Sequence, residues 1–402
     1  MKTFQPITES PPGAMTRIDG REYLYFVGTG YLGLQGHPEV IRAACEAAGR
    51  YGIHSATTRA GFGNTPPALL AERRVAEFFG CESSFHFPSG YASNSILLRT
   101  VEGGFDALFL DEHSHYCVIE AALQSGRPMF RFRHRDAGDL ADALQKHLRT
   151  GQRPLVMTDG VFSVRGTIAP LADYLAVLCN YPGAGLLVDD AHGVGVLGAR
   201  GRGTLEHFGL FECVNISGHS ERSEESDLLA EKTEMLRCAH HDQAAVALFL
   251  TATLSKALGG FGGIIPGSQR FIEQVRKASH WYDGASATPT PIAAAAARAL
   301  ELIQADPALR SRLWSNALLM KDGLRAMGFD VDDTPVPIIC LVVGDAANMQ
   351  RIQTELMHRG IAVAYMAAYS GLGLEGGLRI AVFATHTEEM IQRFLDELRR
   401  LG

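Results

Sequence analysis

The feature that most constrains the fold is a regular alternation of helical stretches with short apolar runs, which begins near residue 38. Helical patterns cover about 38–51, 66–79, 90–101 and 139–149. Between and after them lie the apolar runs DALFLD, RPLVMTDG, GLLVDDAHG and ALFLTATLSK. Such an alternation is typical of βα units on a mainly parallel sheet that is sandwiched by helices. The sequence therefore predicts an α/β fold.

Three of the predicted strands end in polar residues, namely Asp159, Asp189 and Lys256. Ligands of parallel sheets bind beyond the carboxyl ends of the strands. We therefore expect these three side chains to converge on one site.

The domain organisation follows from changes in this pattern. Residues 1–40 are short segments interrupted by Pro and Gly, which predicts an N-terminal arm, and residues 41–290 form a large ligand-binding domain. From 291 to 402 the helical and strand patterns predict a smaller C-terminal α/β domain. About 213–243 is polar and of low complexity, and we interpret it as an insertion in the large domain.

Composition limits the possible partners. The net charge is −7, so no basic field exists for nucleic acid, and no Lys/Arg-rich run indicates an anionic membrane surface. The N-terminus lacks the apolar stretch of a signal peptide, and no apolar run reaches the ~18 residues of a membrane span. We predict a cytoplasmic protein. Cys238, His240 and His241 resemble metal ligands in type, but their clustering on a polar segment is weak support, and we predict no metal site.

The segment TLSKALGGFGG has the chemistry of a covalent cofactor site. Thr253 and Ser255 precede Lys256, and a glycine-rich turn follows it. Hydroxyl and backbone N–H groups in such a setting bind phosphate, and a lysine amine beside a phosphate site suits a Schiff base with a phosphorylated aldehyde. A lysine that merely begins a helix is the structural alternative.

Three further motifs supply groups that a flat, anionic cofactor needs. In VDDAHGVG, Asp189 can pair a pyridinium nitrogen and His192 can bond a phenolic oxygen; a metal site or a helix cap is the alternative. In FPSGYASN, Ser89 and Gly90 precede a helical pattern, so their N–H groups can bind an anion, or Ser89 is a plain N-cap. In DEHSHYC, His115 can stack on a ring, although a lone histidine is more often structural.

The order and spacing of these motifs resemble the α-oxoamine synthase family, the 8-amino-7-oxononanoate synthase and glycine C-acetyltransferase group of fold-type-I pyridoxal-phosphate enzymes. The resemblance runs from YLGLQGHPEV through FPSGYASN, TDGVFSVRGTIAPL, VDDAHGVGVLGARGRG and TLSKALGG to LRIAVFATHTEE. It implies an aspartate-aminotransferase-like transferase fold with pyridoxal 5'-phosphate as cofactor. The implied reaction condenses an amino acid with an acyl-CoA thioester, with decarboxylation, to an α-amino ketone.

The resemblance also implies roles for matching residues. Lys256 is the Schiff-base lysine and acid/base, Asp189 pairs the pyridine nitrogen, His192 bonds the phenolic oxygen, and His115 stacks on the ring. The other implied contacts to the cofactor are Ser89, Gly90, Tyr91, Ser163, Thr253 and, from the neighbouring subunit of a homodimer, Ser286. Arg379 is the implied ligand of the amino-acid carboxylate, and Thr29 stands where the family has an asparagine that helps to position it.

The segments that choose substrates depart from the family pattern. Thr29-Gly30 replaces Asn-Asp or Asn-Asn, Ala68 replaces a histidine, and YMAAYSGLGLEGG replaces a proline-containing loop. The motifs therefore specify the cofactor more closely than the substrates. An aminotransferase or retro-aldol lyase that uses the same lysine is one alternative. A catalytically degenerate relative that acts as a binding protein is another.

Overall fold

The computed structural model describes residues 6–211 and 246–401. The predicted insertion at about 213–243, with Cys238, His240 and His241, lies outside the described residues. In chain order the strands are β1 (Met15–Ile18), β2 (Arg21–Tyr25), β3 (Ser83–Phe87), β4 (Ala107–Asp111), β5 (Met129–Phe132), β6 (Pro154–Asp159), β7 (Gly185–Asp189), β8 (Ala247–Thr253), β9 (Gly263–Gly267), β10 (Ile338–Leu341), β11 (Ile361–Ala362), β12 (Ala364–Met366) and β13 (Gly377–Ala381). The helices are α1 (Pro38–Tyr51), α2 (Pro66–Phe79), α3 (Ser93–Val101), α4 (Tyr116–Gln124), α5 (Ala137–His147), α6 (Leu171–Leu178), α7 (Thr204–His207), α8 (Gln269–Ala278), α9 (Thr290–Ala305), α10 (Ala308–Ala326), α11 (Ala346–His358) and α12 (Glu388–Arg399).

The largest sheet of the described residues has seven strands, in the order β3-β9-β8-β7-β6-β4-β5. The strands β8, β7, β6, β4 and β5 are parallel, whereas β9 is antiparallel to both of its neighbours. Every residue of β4, β6 and β7 is buried, as expected for parallel strands covered on both faces. The predicted α/β fold with a mainly parallel sheet is confirmed.

The helices predicted from sequence form close to their predicted positions, and local capping sets their ends. Helix α2 begins with proline after Thr65, whose hydroxyl accepts the Ala68 N–H, and it ends at Gly80 in the left-handed conformation (φ 67°). Helix α5 begins at Ala137, two residues before the predicted start, because Asp136 caps it by accepting the Asp139 N–H.

A second core lies under the C-terminal part of the chain. Strands β10, β13 and β12 form an antiparallel sheet, while β11 pairs with β2 of the N-terminal arm. Leu24 and Phe26 of the arm share this core with Ile380 and Phe394. Helix α9, at the predicted boundary near 291, contributes Ala296 and Leu300 to the core of the large sheet instead. The division at 291 stays a prediction.

Register places the polar strand ends side by side. Asp159 is opposite Asp189, and Asp189 is opposite Thr251 on β8. The chain then leaves β8 at Thr253 and returns as β9 through a turn in which Gly259 and Gly262 have positive φ (71° and 104°). This turn carries Lys256 to the same edge of the sheet. Within the described ranges, no helix is long and apolar enough to cross a membrane.

Candidate active site

Lys256 lies at the centre of the site, three residues after the end of β8. Its Nζ atom is 2.8 Å from Nε2 of His192. Burial lowers the pKa of the Lys256 amine, although the nearby Asp189 carboxylate acts in the opposite direction. The amine is therefore closer to its neutral, nucleophilic form than an exposed lysine would be.

His192 is buried between Lys256 and a tyrosine that the sequence motifs did not single out. Its Nδ1 atom is 2.8 Å from the hydroxyl of Tyr31. Burial, with the cations of Lys256 and Arg379 nearby, lowers the pKa of His192 well below its ordinary value, so the imidazole is neutral. Burial raises the pKa of Tyr31 to about 12, so its hydroxyl keeps its proton. Tyr31 belongs to the motif YLGL, but only the fold brings it to His192.

Asp189 is held by three donors at the end of β7. Its Oδ2 atom accepts from Nδ2 of Asn94 at 2.5 Å and from the thiol of Cys117 at 3.4 Å, and its Oδ1 atom accepts the Ala191 N–H at 3.1 Å. The hydroxyl of Thr251 donates to Asn94 Oδ1 (2.9 Å) and so orients that amide. Asn94 and Cys117 lie in the motifs FPSGYASN and DEHSHYC, in which we singled out other residues. Their contacts depend on the packing of α3 and α4 and left no signal in the sequence.

The neighbouring carboxylates, Asp190 and Asp159, face the protein rather than the site. Asp190 Oδ2 accepts the Thr204 N–H at 2.6 Å, and burial raises the pKa of Asp190 to about 7. Asp159 Oδ2 accepts the backbone N–H of His115 at 2.8 Å. Burial and the charge of Asp189 raise the pKa of Asp159 well above its ordinary range. Asp159 therefore supports the site by anchoring the backbone of His115.

His115 presents its ring to the open side of the site. It caps α4, where its Nδ1 atom accepts the Cys117 N–H at 3.2 Å. The ring is partly exposed and lies among the aromatic rings of Tyr91, Tyr116 and Tyr369, at centroid distances of 5.9, 6.1 and 6.0 Å. A flat ligand can therefore stack on a ring whose orientation is fixed by the backbone.

The predicted anion site lies where α3 approaches the end of β8. Ser89, Gly90 and Tyr91 precede α3, and the Ser89 side chain makes no capping bond. A Cβ atom on Gly90 would lie 2.6 Å from the Thr253 hydroxyl oxygen, so the approach requires glycine. That hydroxyl donates to the Gly262 carbonyl (2.8 Å). Backbone N–H groups at a helix start thus lie next to the Thr253 hydroxyl, which is the kind of setting that binds phosphate.

Arg379, on β13, reaches the site from the C-terminal part of the chain. Its Nε donates to the Ser163 carbonyl (2.9 Å), Nη1 to the Gly28 carbonyl (3.0 Å) and Nη2 to the Tyr31 hydroxyl (3.3 Å). A guanidinium has five N–H donors, so one remains on each terminal nitrogen. These two donors suit a carboxylate. Thr29 follows Gly28, and its side chain makes none of the described hydrogen bonds.

Of two further predicted participants, Ser286 is not joined to this cluster, and Ser163 is joined to it only through Arg379 and Tyr369. Ser286 is exposed and pairs with Thr58 in an isolated β-bridge, and no described hydrogen bond links it to Lys256 or its neighbours. Ser163 contributes its carbonyl oxygen to Arg379, and its hydroxyl bonds the side chain of Tyr369. In the part of the chain that the structure describes, no group of three or more His, Cys, Asp or Glu side chains is arranged to hold a metal ion.

Comparison with known proteins places this site in a family. Residues 29–398 match the aminotransferase class I and II family. The chain belongs to that family. The 8-amino-7-oxononanoate synthase of Cellvibrio japonicus is 34% identical over 392 residues, covering 98% of this chain and 90% of that protein. The enzyme of the same name from Nitrosococcus oceani is 32% identical over 395 residues, covering 98% and 96%.

Solved structures of this family superpose over nearly the whole chain. Serine palmitoyltransferase from S. paucimobilis, with a bound PLP–myriocin aldimine, has a TM-score of 0.85 and 26% identity and covers 100% of this chain and 93% of its own. The Sphingomonas wittichii serine palmitoyltransferase has a TM-score of 0.83 at 26% identity, covering 99% and 92%. An 8-amino-7-oxononanoate synthase from Francisella tularensis, at 23% identity and TM-score 0.72, shares the fold. The predicted membership of the α-oxoamine synthases is confirmed, and the chain is a pyridoxal-phosphate-dependent C-acyltransferase.

The described residues fit pyridoxal 5'-phosphate. Gly90 lies too close to the Thr253 hydroxyl for any larger residue, which brings the N–H groups before α3 next to that hydroxyl as donors for a phosphate. The ring of His115 provides a stacking face, and the Asp189 carboxylate lies at the end of the neighbouring strand β7. Lys256 supplies a buried amine of lowered pKa. The fixed donors and the single lysine match the groups that this cofactor carries.

Proposed function

We propose that this enzyme joins the α-carbon of an amino acid to the acyl group of an acyl-CoA thioester, releasing carbon dioxide and the thiol and leaving an α-amino ketone. The observation that carries the proposal is the linked pair of Lys256 and Arg379. Lys256 offers an amine that can lose its proton, and Arg379 offers two N–H donors to a carboxylate. His192 and Tyr31 connect the two by contacts of 2.8, 2.8 and 3.3 Å. This arrangement suits an α-amino acid, which must present its carboxylate and its α-proton together.

When bound, pyridoxal phosphate supplies an aldehyde carbon that takes an amine and a ring that accepts electrons from the adjoining carbon. Asp189 would keep a proton on the ring nitrogen, since its carboxylate is oriented by Asn94 and Ala191. His192 would donate to the phenolic oxygen. His115 would cover one face of the ring and restrict access of water from that side.

Lys256 moves the α-proton. Because burial lowers the pKa of the Lys256 amine, this amine is neutral, and able to accept a proton from the α-carbon, at a lower pH than an exposed lysine would be. Arg379 holds the carboxylate with the two N–H groups that it does not use in Ser163, Gly28 and Tyr31 contacts. The same Arg379 contact fixes which bond of the α-carbon lies next to Lys256.

The first substrate pair to test follows from the product that names the relatives. In 8-amino-7-oxononanoate the amino carbon C8 carries a methyl group, and C1 to C7 form an acyl chain with a terminal carboxylate. Loss of the amino-acid carboxyl in the condensation then requires alanine and a seven-carbon acyl thioester with a free carboxylate. We propose this pair first, and glycine or serine with other acyl chains as the alternatives.

A matrix of amino acids against acyl-CoA thioesters tests the proposal. Purified enzyme with pyridoxal phosphate is incubated with alanine, glycine or serine and each thioester, and free thiol and carbon dioxide are both measured. We expect equal amounts of the two from one pair, and neither from the Lys256→Ala variant. Amino-group transfer to 2-oxo acids without thiol release would support an aminotransferase instead. Aldehyde release from a β-hydroxy amino acid alone would support a lyase.

We further propose that the enzyme is a homodimer in which Ser286 contacts the cofactor phosphate of the partner subunit. Ser286 is exposed, and so are the apolar side chains of Phe62 (95%) and Phe261 (54%). Sedimentation measures the assembly directly. If sites are shared, mixing inactive Lys256→Ala subunits with impaired Ser286→Ala subunits restores activity, because hybrid dimers contain one intact site. No recovery after subunit exchange would contradict a shared site.

A cytoplasmic location is also proposed, in keeping with the N-terminal composition. Cys45, Cys81, Cys117 and Cys340 carry free thiols, in keeping with a reducing compartment. Fractionation of cells tests the location. Enzyme recovered mainly outside the cytoplasm would contradict the proposal.

A further inference from the structure

A continuous hydrogen-bonded chain runs from Arg379 to Lys256 through two buried side chains. Arg379 Nη2 donates to the Tyr31 hydroxyl at 3.3 Å, the same hydroxyl lies 2.8 Å from His192 Nδ1, and His192 Nε2 lies 2.8 Å from Lys256 Nζ. Tyr31 is fully buried and His192 is nearly so. The positions of the protons along this chain determine which groups donate and which accept.

The donor at one end of the chain decides the direction of the next bond. A guanidinium can only donate, so the Tyr31 oxygen accepts from Arg379. If His192 Nδ1 also donated to that oxygen, the Tyr31 O–H would have no acceptor among the described residues. An unsatisfied buried donor is costly, so the O–H donates to Nδ1. A neutral imidazole that accepts at Nδ1 carries its proton on Nε2.

The tautomer of His192 then determines the state of Lys256. An Nε2–H group directed at Lys256 Nζ needs a lone pair to accept it. The neutral amine has one, and the ammonium form does not. Burial favours neutral forms of both groups, in agreement with this direction of donation. The other titratable groups that face the pair are Asp189, Asp159, His115, Cys117 and Arg379.

We propose that Tyr31 is a positioning residue that fixes the Nε2–H tautomer of His192 and thereby keeps Lys256 as a neutral amine, ready to capture the cofactor aldehyde. In that capture the amine lone pair would form the bond to the aldehyde carbon, and the aldehyde oxygen would leave as water with the two protons that the amine nitrogen gives up. Once the cofactor is bound, the same Nε2–H is available to its phenolic oxygen. This inference rests on the proposed use of pyridoxal phosphate, but it concerns the chain before any amino acid or thioester binds.

The test compares Tyr31→Phe with a matched control, Tyr174→Phe, in the full-length chain freed of cofactor. Tyr174 is also fully buried, and its hydroxyl donates to Asp111 Oδ2 (3.2 Å), away from Lys256. Nitrogen NMR of ¹⁵N-histidine protein reads the tautomer, with the His192 signal assigned by its loss in His192→Gln. We expect Nε2–H in the wild type and in Tyr174→Phe, and a shift toward Nδ1–H in Tyr31→Phe, where Lys256 can donate to Nε2.

Capture kinetics provide the second measurement. Pyridoxal phosphate is mixed with each cofactor-free protein, and the rise of the visible absorbance band is followed between pH 6 and pH 10. We expect capture near pH 7 to slow by roughly three- to tenfold in Tyr31→Phe, as the loss of one hydrogen bond implies, and to recover at high pH, where Lys256 is neutral without help. Tyr174→Phe should follow the wild type.

Several results would overturn the inference. A wild-type spectrum in which His192 carries its proton on Nδ1 would overturn it alone, whether or not the variants fold. An unchanged His192 tautomer in Tyr31→Phe would also overturn it, as would cofactor capture that is slowed equally in Tyr174→Phe. None of these measurements uses amino acid or thioester, so the inference can fail while the proposed acyl transfer stands. Acyl transfer can equally fail while the His192 tautomer is as predicted.

Discussion

The cofactor end and the substrate end of the site are built differently. At the ends of β7 and β8, Asp189 and His192 are each about 5% exposed and bonded on both sides. The loop around Tyr369, by contrast, is rich in glycine, and Leu374 projects fully into solvent. A change in the buried network leaves polar groups unpaired, whereas a change in the loop costs little stability. The chemistry is thus held by the core, and substrate choice is left to segments that can vary.

The largest loss of turnover should come from removing the Lys256 amine at the cofactor end of the site. We expect Lys256→Ala to lower turnover by more than ~10³-fold while the protein stays folded, because both covalent capture and proton transfer are lost. Turnover and the absorbance of bound cofactor measure this, and circular dichroism checks the fold. Lys277→Ala, on the exposed side of α8, is the control and should behave as the wild type. Substantial turnover in Lys256→Ala would show that another group performs the chemistry.

Neutralising the strand-end carboxylate should have the next largest effect. Asp189→Asn cannot keep a proton on the cofactor nitrogen. We expect the activation free energy to rise by about 2–4 kcal/mol, so that kcat falls roughly 30- to 1,000-fold, while phosphate contacts retain the cofactor. Asp190→Asn is the matched neighbour, and its kcat should change little, since Asp190 bonds Thr204. A larger loss of kcat in Asp190→Asn would reverse the assignment of the two residues.

At the substrate end, Arg379 should affect the amino acid and not the thioester. We expect Arg379→Ala to raise KM for the amino acid by roughly 10- to 100-fold, because a charged two-donor contact is lost, with a much smaller change for the thioester. Arg379→Lys keeps the positive charge but loses the planar pair of N–H donors. Its KM for the amino acid should therefore lie between those of the wild type and Arg379→Ala. Steady-state kinetics with each substrate varied in turn separates the effects. A change confined to the thioester would show that Arg379 does not hold the amino acid.

The same contrast explains how much the sequence could predict. The alternation of apolar runs and helices predicted the strands β4, β6, β7 and β8, because buried parallel strands leave continuous apolar segments. Lys256, Asp189 and His192 were visible as polar residues that end such segments. Tyr31, Asn94 and Cys117 were not, since each contacts the site from a distant element and looks like an ordinary residue of its own segment.

Two expectations show where spacing alone misleads. Asp159 was expected to converge on the ligand with Asp189, and the strands do lie side by side, but its carboxyl turns to the backbone of His115. Strand β9, which follows the glycine-rich turn after Lys256, was not predicted. The sequence GIIPG is too short and too rich in glycine to be identified as a strand. Pairing with β3 and β8 stabilises this strand although its local strand propensity is low.

The smallest expected effect concerns stability at the cofactor end. Burial raises the pKa of Asp190 to about 7, against 3.8 for the ordinary group. The folded chain therefore holds a proton that the unfolded chain releases between about pH 4 and pH 7, so this residue lowers the free energy of unfolding as pH rises through that window. Asparagine does not titrate and can still accept the Thr204 N–H. We expect Asp190→Asn to gain about 2–3 kcal/mol relative to the wild type between pH 5 and pH 8. Urea unfolding of both proteins at the two pH values measures the difference, and a gain that is equal at both would show that Asp190 is already ionised at pH 5.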